Sequence, residues 1–104
     1  MIHIIWSKQA GEALRDTTTY VRKEFGVKAK EKLIDEVLHF VALLAANPQM
    51  GIIEPLLESA PVEYRSFVIN RLNKAVYWVH DDTIEIVAFW DTRREPEMLA
   101  KEVL

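Results

Sequence analysis

The residues best suited to chemistry lie in the last third of the chain, where cationic side chains accompany three short alternating segments. Arg65 lies on the first segment, Lys74 begins the second, and Arg93 follows the third. Consecutive strands of an antiparallel meander lie side by side, so these side chains could gather at one side of a sheet. Such a cluster would be a platform for an anionic partner or an acidic protein segment.

The composition of the chain limits the class of protein and the kinds of partner that are possible. With 104 residues, half of them hydrophobic, the chain is predicted to form one globular domain over residues 1–104. It has no cysteine, which excludes thiolate chemistry and disulfides. The net charge of −3 argues against a general nucleic-acid coat, although residues 64–94 hold five cations and four acidic residues. The N-terminus lacks the pattern of a signal peptide and no apolar run reaches 18 residues, so we predict a cytoplasmic protein without a membrane partner.

Hydrophobic spacing predicts two long helices before the meander. A short apolar strand at 3–6 leads to Ser7, a good N-cap, and then to a helix over Lys8–Phe25. Gly26 ends that helix, and a second is predicted from Val27 to Ala46, where Asn47-Pro48 stops it. The short turn at Gly26 makes the two helices an antiparallel hairpin.

The remainder is predicted to form a sheet and a closing helix. Residues 48–62 are expected to be irregular because glycine and prolines interrupt them. Strands are predicted at 64–69, 74–80 and 83–91, followed by a helix at 97–103 with Pro96 at its start. The predicted fold class is α+β, with an N-terminal strand, an antiparallel helical hairpin packed on a three- to four-stranded antiparallel sheet, and a short C-terminal helix.

Several short motifs, in this order and at this spacing, resemble the RelE/ParE toxins of bacterial type II toxin–antitoxin modules, also called plasmid stabilisation proteins. The motifs are Ile5-Trp6-Ser7, Asn47-Pro48-Gln49-Met50-Gly51, Glu63-Tyr64-Arg65, Ala75-Val76-Tyr77-Trp78-Val79, Asp81-Asp82-Thr83 and Thr92-Arg93-Arg94-Glu95-Pro96. The resemblance implies a toxin that arrests growth unless a cognate antitoxin protein binds it, with a homodimer or a toxin–antitoxin hetero-oligomer as the expected assembly. It also implies one of two targets: RelE-like members cleave mRNA on the ribosome, whereas ParE-like members inhibit DNA gyrase.

The two targets make different demands on the residues. A RelE-like, metal-independent endoribonuclease needs fixed cations at the phosphate and a group that moves a proton. By position the resemblance supplies Arg65, Lys74 and Arg93 as catalytic candidates. Asp91 or Glu95 could supply the base. Phe67 stands where a second cation is expected and Leu99 where a tyrosine is expected. For Arg65 the alternative is an ion pair with Asp91 or Glu95.

Further residues are candidates for the target and for the antitoxin. Arg71, Trp90 and Arg94 are predicted to contact the substrate or target, although a tryptophan ending an apolar strand is also a common core residue. The antitoxin surface is predicted on the outer side of the second helix and on a half-apolar outer sheet face, unless residues 48–62, the last helix or a homodimer covers it. Its residues are Ile34, Leu38, Val76, Trp78 and Phe89.

Taken together, the incomplete nuclease set and the long hairpin favour the ParE-like function, and whether the chain is an enzyme stays open. The alternatives are a RelE-like endoribonuclease and a non-toxic protein-interaction domain descended from a toxin. His3, His39 and His80 lie on separate elements without ligand spacing, so no metal site is predicted, and no cofactor is expected.

Overall fold

The computed structural model describes residues 2–104, and its elements follow the predicted order closely. The strands and helices are β1 (His3–Trp6), α1 (Lys8–Phe25), α2 (Val27–Ala46), β2 (Ile52–Ile53), β3 (Arg65–Val68), β4 (Asn73–His80), β5 (Thr83–Asp91) and α3 (Glu97–Val103), with a 3-10 turn at Pro55–Leu57 between β2 and β3. The helical hairpin, the meander and the closing helix are therefore confirmed.

The limits of the helical hairpin follow from local chemistry. The Ser7 hydroxyl accepts a hydrogen bond from the Ala10 N–H at 3.1 Å and so caps α1. Gly26 joins the helices with φ +95°, a backbone conformation that side chains with a Cβ rarely adopt. The buried stripe of α2 is Leu33, Val37, Phe40 and Leu44, at the spacing expected for one helical face.

The sheet has five strands in the order β1-β5-β4-β3-β2, one more than the upper limit that the sequence predicted. The extra strand is β2, two residues in the segment expected to be irregular, paired antiparallel with β3. The N-terminal strand lies at the opposite edge and runs parallel to β5. A parallel pair needs a long connection, and here the helical hairpin is part of it.

A β-bulge in β5 reverses the side-chain alternation that the sequence predicts. Ala88 lies opposite Val76, but Ile86 lies opposite Tyr77, so Val87 is an extra residue. Ile84 and Ile86 therefore face the helical hairpin, whereas Ala88 and Trp90 face away from it. Phe89 also faces the hairpin, against Leu33 and Val37 of α2. The prediction that Phe89 lies on the outer sheet face is wrong for this reason.

Both faces of the sheet are covered. The helices cover one face, where Phe40, Leu44, Tyr77 and Ile84 form the main cluster. On the opposite face Leu57 and Leu99 cover Val76, Ala88 and Trp90. We call this second face the α3 face. Within residues 2–104, no helix combines the length and the apolar character needed to cross a membrane.

Candidate functional site

Lys74, a predicted catalytic cation, forms a buried ion pair with Glu54. The ammonium contacts Glu54 Oε1, while Oε2 accepts a hydrogen bond from the Leu56 N–H at 2.9 Å. The Glu54 side chain is only 1% exposed. Burial by itself would raise the pKa of Glu54, but the hydrogen bonds from Lys74 and Leu56 and the lysine charge outweigh it and lower that pKa below 4.5. Lys74 therefore anchors the segment before β3 to the α3 face.

Arg65, the predicted cation on β3, is also held by the protein. Its guanidinium donates to the Gly51 carbonyl oxygen at 2.8 Å and contacts the Glu63 carboxylate at 3.0 Å. The Gly51 N–H in turn donates to the Tyr77 hydroxyl at 2.9 Å. The expected pairing of Arg65 with Asp91 or Glu95 is not what the structure shows. Arg65 instead fixes the backbone at Gly51 against the neighbouring strand.

The strand register points Arg65 and Lys74 to opposite faces of the sheet. Arg65 lies beside Tyr77 and shares its face with Phe67, which stacks on Phe40 of α2. Lys74 lies opposite Trp90, on the α3 face. Neighbouring side chains in a strand point to opposite faces of the sheet. Because twisting of the sheet does not move a side chain from one face to the other, it cannot bring the two cations into contact. The structure does not bring them together.

Asp91 and Arg93 do come together, at the end of β5. Arg93 donates two side-chain hydrogen bonds to the Asp91 carboxylate, at 3.0 Å from Nε and 2.8 Å from Nη2. The Arg93 N–H adds a third at 2.9 Å. The hydrogen bond from the Arg93 side chain is the main cause that lowers the pKa of Asp91 below 3.8. A carboxylate in this state is a weak base, which disfavours the proton-accepting role predicted for Asp91.

The residues predicted to contact the target are dispersed. Trp90 is buried on the α3 face, and the Arg94 guanidinium lies 4.1 Å above its ring. Arg94 also pairs with Glu102 of α3 at 2.8 Å. The Trp90 ring is therefore part of the core and is covered by Arg94. Arg71 is exposed in the turn between β3 and β4.

A groove lies between the tip of the helical hairpin and the β3–β4 turn, and we call it the tip groove. It consists of two adjoining depressions of about 390 and 620 Å³, which share Val21, Phe25, Leu72 and Asn73 in their walls. Asp91 and Arg93 line the first depression, and Arg71 lines the second. Three of the predicted site residues thus border one concave surface.

The family model described as the ParE toxin of type II toxin–antitoxin systems, parDE, matches residues 4–96. The chain belongs to the ParE toxin family. Comparison with curated protein sequences finds no significant match.

Solved structures of toxins share the fold of this ParE family member. The chromosomal ParDE system of P. aeruginosa superposes with a TM-score of 0.70 at 18% identity, over 88% of this chain and 96% of that chain. The YoeB dimer of Staphylococcus aureus gives a TM-score of 0.60 at 23% identity, over 86% and 94%. A YoeB/ParE toxin of Agrobacterium tumefaciens gives 0.60 at 15% identity, over 86% and 98%. At these identities the likeness concerns the fold.

Only some of the residues predicted to form the antitoxin surface are exposed in the structure. Ile34 and Leu38 are exposed on α2, Leu38 by 61%. Val76 is buried beneath Leu57 and Leu99, so the prediction that it is exposed is wrong, as it is for Phe89. The segment 48–62 and the last helix cover this sheet face, as the alternative held. Trp78 is half-buried, stacks on His80 and donates to Glu85 at 2.9 Å.

Two aromatic residues at the tip groove lie where the apolar spacing of α1 predicts a buried face, and that prediction is wrong for them. Tyr20 and Phe25 are instead 54% and 69% exposed. Their rings meet edge to face, with centroids 6.3 Å apart. The one available signal in the sequence is the position of Phe25 directly before Gly26, at the hairpin tip.

Proposed function

We propose that this ParE family member is a toxin that arrests bacterial growth by inhibiting DNA gyrase and that an antitoxin protein neutralises it. Membership of the ParE family supports a toxin. The binding of Arg65 and Lys74 to other groups of the protein supports gyrase rather than mRNA as the target. A ribonuclease of the RelE type needs several free cations around one phosphate. Arg65 and Lys74 are instead bound to groups of the protein itself, on opposite faces of the sheet.

The cost of releasing these cations strengthens the argument. Moving Lys74 to a substrate phosphate would leave the carboxylate of Glu54 buried without its partner, which costs several kcal/mol. Moving Arg65 would free the Gly51 carbonyl oxygen and the Glu63 carboxylate. A phosphate would have to compensate both losses before any rate acceleration. A protein-binding toxin has no such requirement.

We place the antitoxin on the outer side of α2, where Ile34 and Leu38 are exposed. One related structure is described as a heterotetrameric YoeB-YefM toxin-antitoxin complex of Staphylococcus aureus. An amphipathic helix laid along α2 would bury both side chains, a common mode of peptide recognition. Trp78 lies on the α3 face, so contact with it as well requires an antitoxin segment that passes around the sheet.

Pulse-labelling after induction of the chain alone tests the target, with labelled thymidine and labelled methionine in parallel cultures. We expect thymidine incorporation to fall first and purified gyrase to lose supercoiling activity when the toxin is added. An early fall in methionine incorporation would instead establish the ribosome-dependent nuclease. If neither label falls and growth continues, the chain is a non-toxic interaction domain.

A further inference from the structure

The hairpin tip carries a concentration of positive charge that the proposed mechanism has not used. Residues 22–32 contain five cations and two glutamates, a net charge of +3, in a chain whose total is −3. The five are Arg22, Lys23, Lys28, Lys30 and Lys32. Within residues 2–104, none of them lies within salt-bridge distance of a carboxylate, in contrast to Arg65, Lys74, Arg93 and Arg94. This part of the molecule is therefore available to an acidic partner.

The same end of the molecule exposes apolar side chains next to the cations. Phe25 and Tyr20 are largely exposed, and Leu72 of the facing turn is 45% exposed. Phe25 and Leu72 line both depressions of the tip groove, and Lys32 and Arg71 line the larger one. The groove walls themselves carry Asp16, Glu36 and Asp91 as well as cations, so the excess of positive charge lies at the hairpin tip beside the groove. An apolar groove next to a cationic tip fits a protein segment that presents apolar residues together with acidic ones.

We propose that the hairpin tip and the tip groove form the surface with which this toxin binds its target, and that the target presents an acidic protein segment with apolar side chains. The proposal rests on the proposed function, since it assigns the contact through which growth is arrested. A protein segment is favoured over nucleic acid because Val21, Phe25 and Leu72 give the groove apolar surface that would hold apolar side chains, and because its carboxylates would repel phosphates. A phosphate backbone would use only the cations.

Charge reversal at the tip tests this assignment. The variant Lys28→Glu/Lys32→Glu changes two exposed residues, and a glutamate at 28 suits the first turn of α2, so the fold should be kept. We expect growth arrest to be lost and binding of purified gyrase to weaken by about tenfold or more. Phe25→Ser should weaken the same binding by roughly tenfold, because exposed aromatics at the centre of an interface contribute strongly.

The matched control reverses two cations away from the tip. Lys8→Glu/Lys101→Glu makes the same change in net charge at exposed positions of α1 and α3, and it should arrest growth like the wild type. Thermal unfolding of all variants checks that each is folded. A folded tip variant that still arrests growth overturns the proposal, and so does a control that fails equally, since net charge alone would then be responsible.

Two further outcomes separate this proposal from the proposed function. If the wild type arrests growth without affecting gyrase, gyrase is the wrong target, and the growth assay of the variants still decides the role of the tip. If the wild type binds a duplex DNA oligonucleotide and the tip variants lose that binding along with toxicity, the tip is a nucleic-acid surface and the protein-segment proposal is overturned. A wild type without any effect on growth contradicts both proposals.

Discussion

Lys74 and Glu54 show how one contact can remove a residue from a predicted catalytic set. The carboxylate is inaccessible to solvent, and the ammonium is its ionic partner. In Lys74→Ala the charge of Glu54 would remain buried without compensation. We expect the free energy of unfolding to fall by about 3 kcal/mol, measured by urea denaturation at pH 7.

Glu102→Ala serves as the comparison for this prediction, because the ion pair of Glu102 with Arg94 is partly exposed and should contribute about 1 kcal/mol or less. If Lys74→Ala unfolds like the wild type, Lys74 is not needed by Glu54. It would then return to the list of residues free to bind a phosphate, and the ribonuclease alternative would gain support.

At the level of elements, the segment between α2 and β3 is held by close backbone contact at Gly51. A Cβ atom on Gly51 would lie 2.7 Å from the Ser66 carbonyl oxygen and 2.8 Å from the Tyr77 hydroxyl. Gly51→Ala must displace one of these groups, and we expect a loss of about 2 kcal/mol in the free energy of unfolding. The growth arrest should persist where enough folded protein remains, because Gly51 lies outside the tip groove.

Gly11→Ala is the matched control, since it makes the same chemical change in the first turn of α1 with no neighbouring atom within 4 Å of the new Cβ. There the alanine should stabilise the protein by about 0.5–1 kcal/mol through its better helix propensity. Equal effects at the two glycines would show that the segment before β3 can relax, and that the contacts at Gly51 do not constrain it.

The elements also show which parts of the fold could be predicted from the sequence. The helices were predictable because Ser7 and Gly26 mark their ends and apolar residues repeat along one face. The β-bulge at Val87 was not, because the apolar run in β5 gives no sign of where an extra residue is inserted. Strand β2 has only two residues, too few for any periodic pattern.

The candidate site was harder to predict than the fold for a related reason. Residue types identified Arg65 and Lys74 as cations near one another in the sheet, but the face that each occupies depends on strand register. Their partners lie in the segment expected to be irregular, and Glu54 is separated from Lys74 by 20 residues. No local pattern links residues at that distance.

On the scale of the whole molecule, four titrating groups should set the pH range of stability. Contacts in the folded chain lower the pKa values of Glu54 and Asp91 below 4.5 and 3.8. The stabilisation that these two carboxylates contribute is complete at a pH above their pKa values in the unfolded chain. It is lost as the pH falls through their lowered pKa values in the folded chain. Burial is the main cause that raises the pKa values of Tyr64 and Tyr77 above 10.0, so stability should also fall as the pH rises past 10.

Urea denaturation between pH 3 and pH 11 can assign each limit to a residue. In Glu54→Gln the free energy of unfolding should start lower at pH 7, because the ion pair with Lys74 is lost, and should then decline less steeply below pH 4.5. In Tyr77→Phe the free energy of unfolding at pH 7 should fall by about 1 kcal/mol, because the Gly51 N–H loses its acceptor. The decline of that free energy above pH 10 should become shallower. The slope of the free energy of unfolding against pH is the decisive quantity, since each variant also changes the free energy of unfolding at pH 7. An acid slope unchanged in Glu54→Gln would mean that other carboxylates control acid unfolding, and that the Glu54–Lys74 pair is not formed in solution.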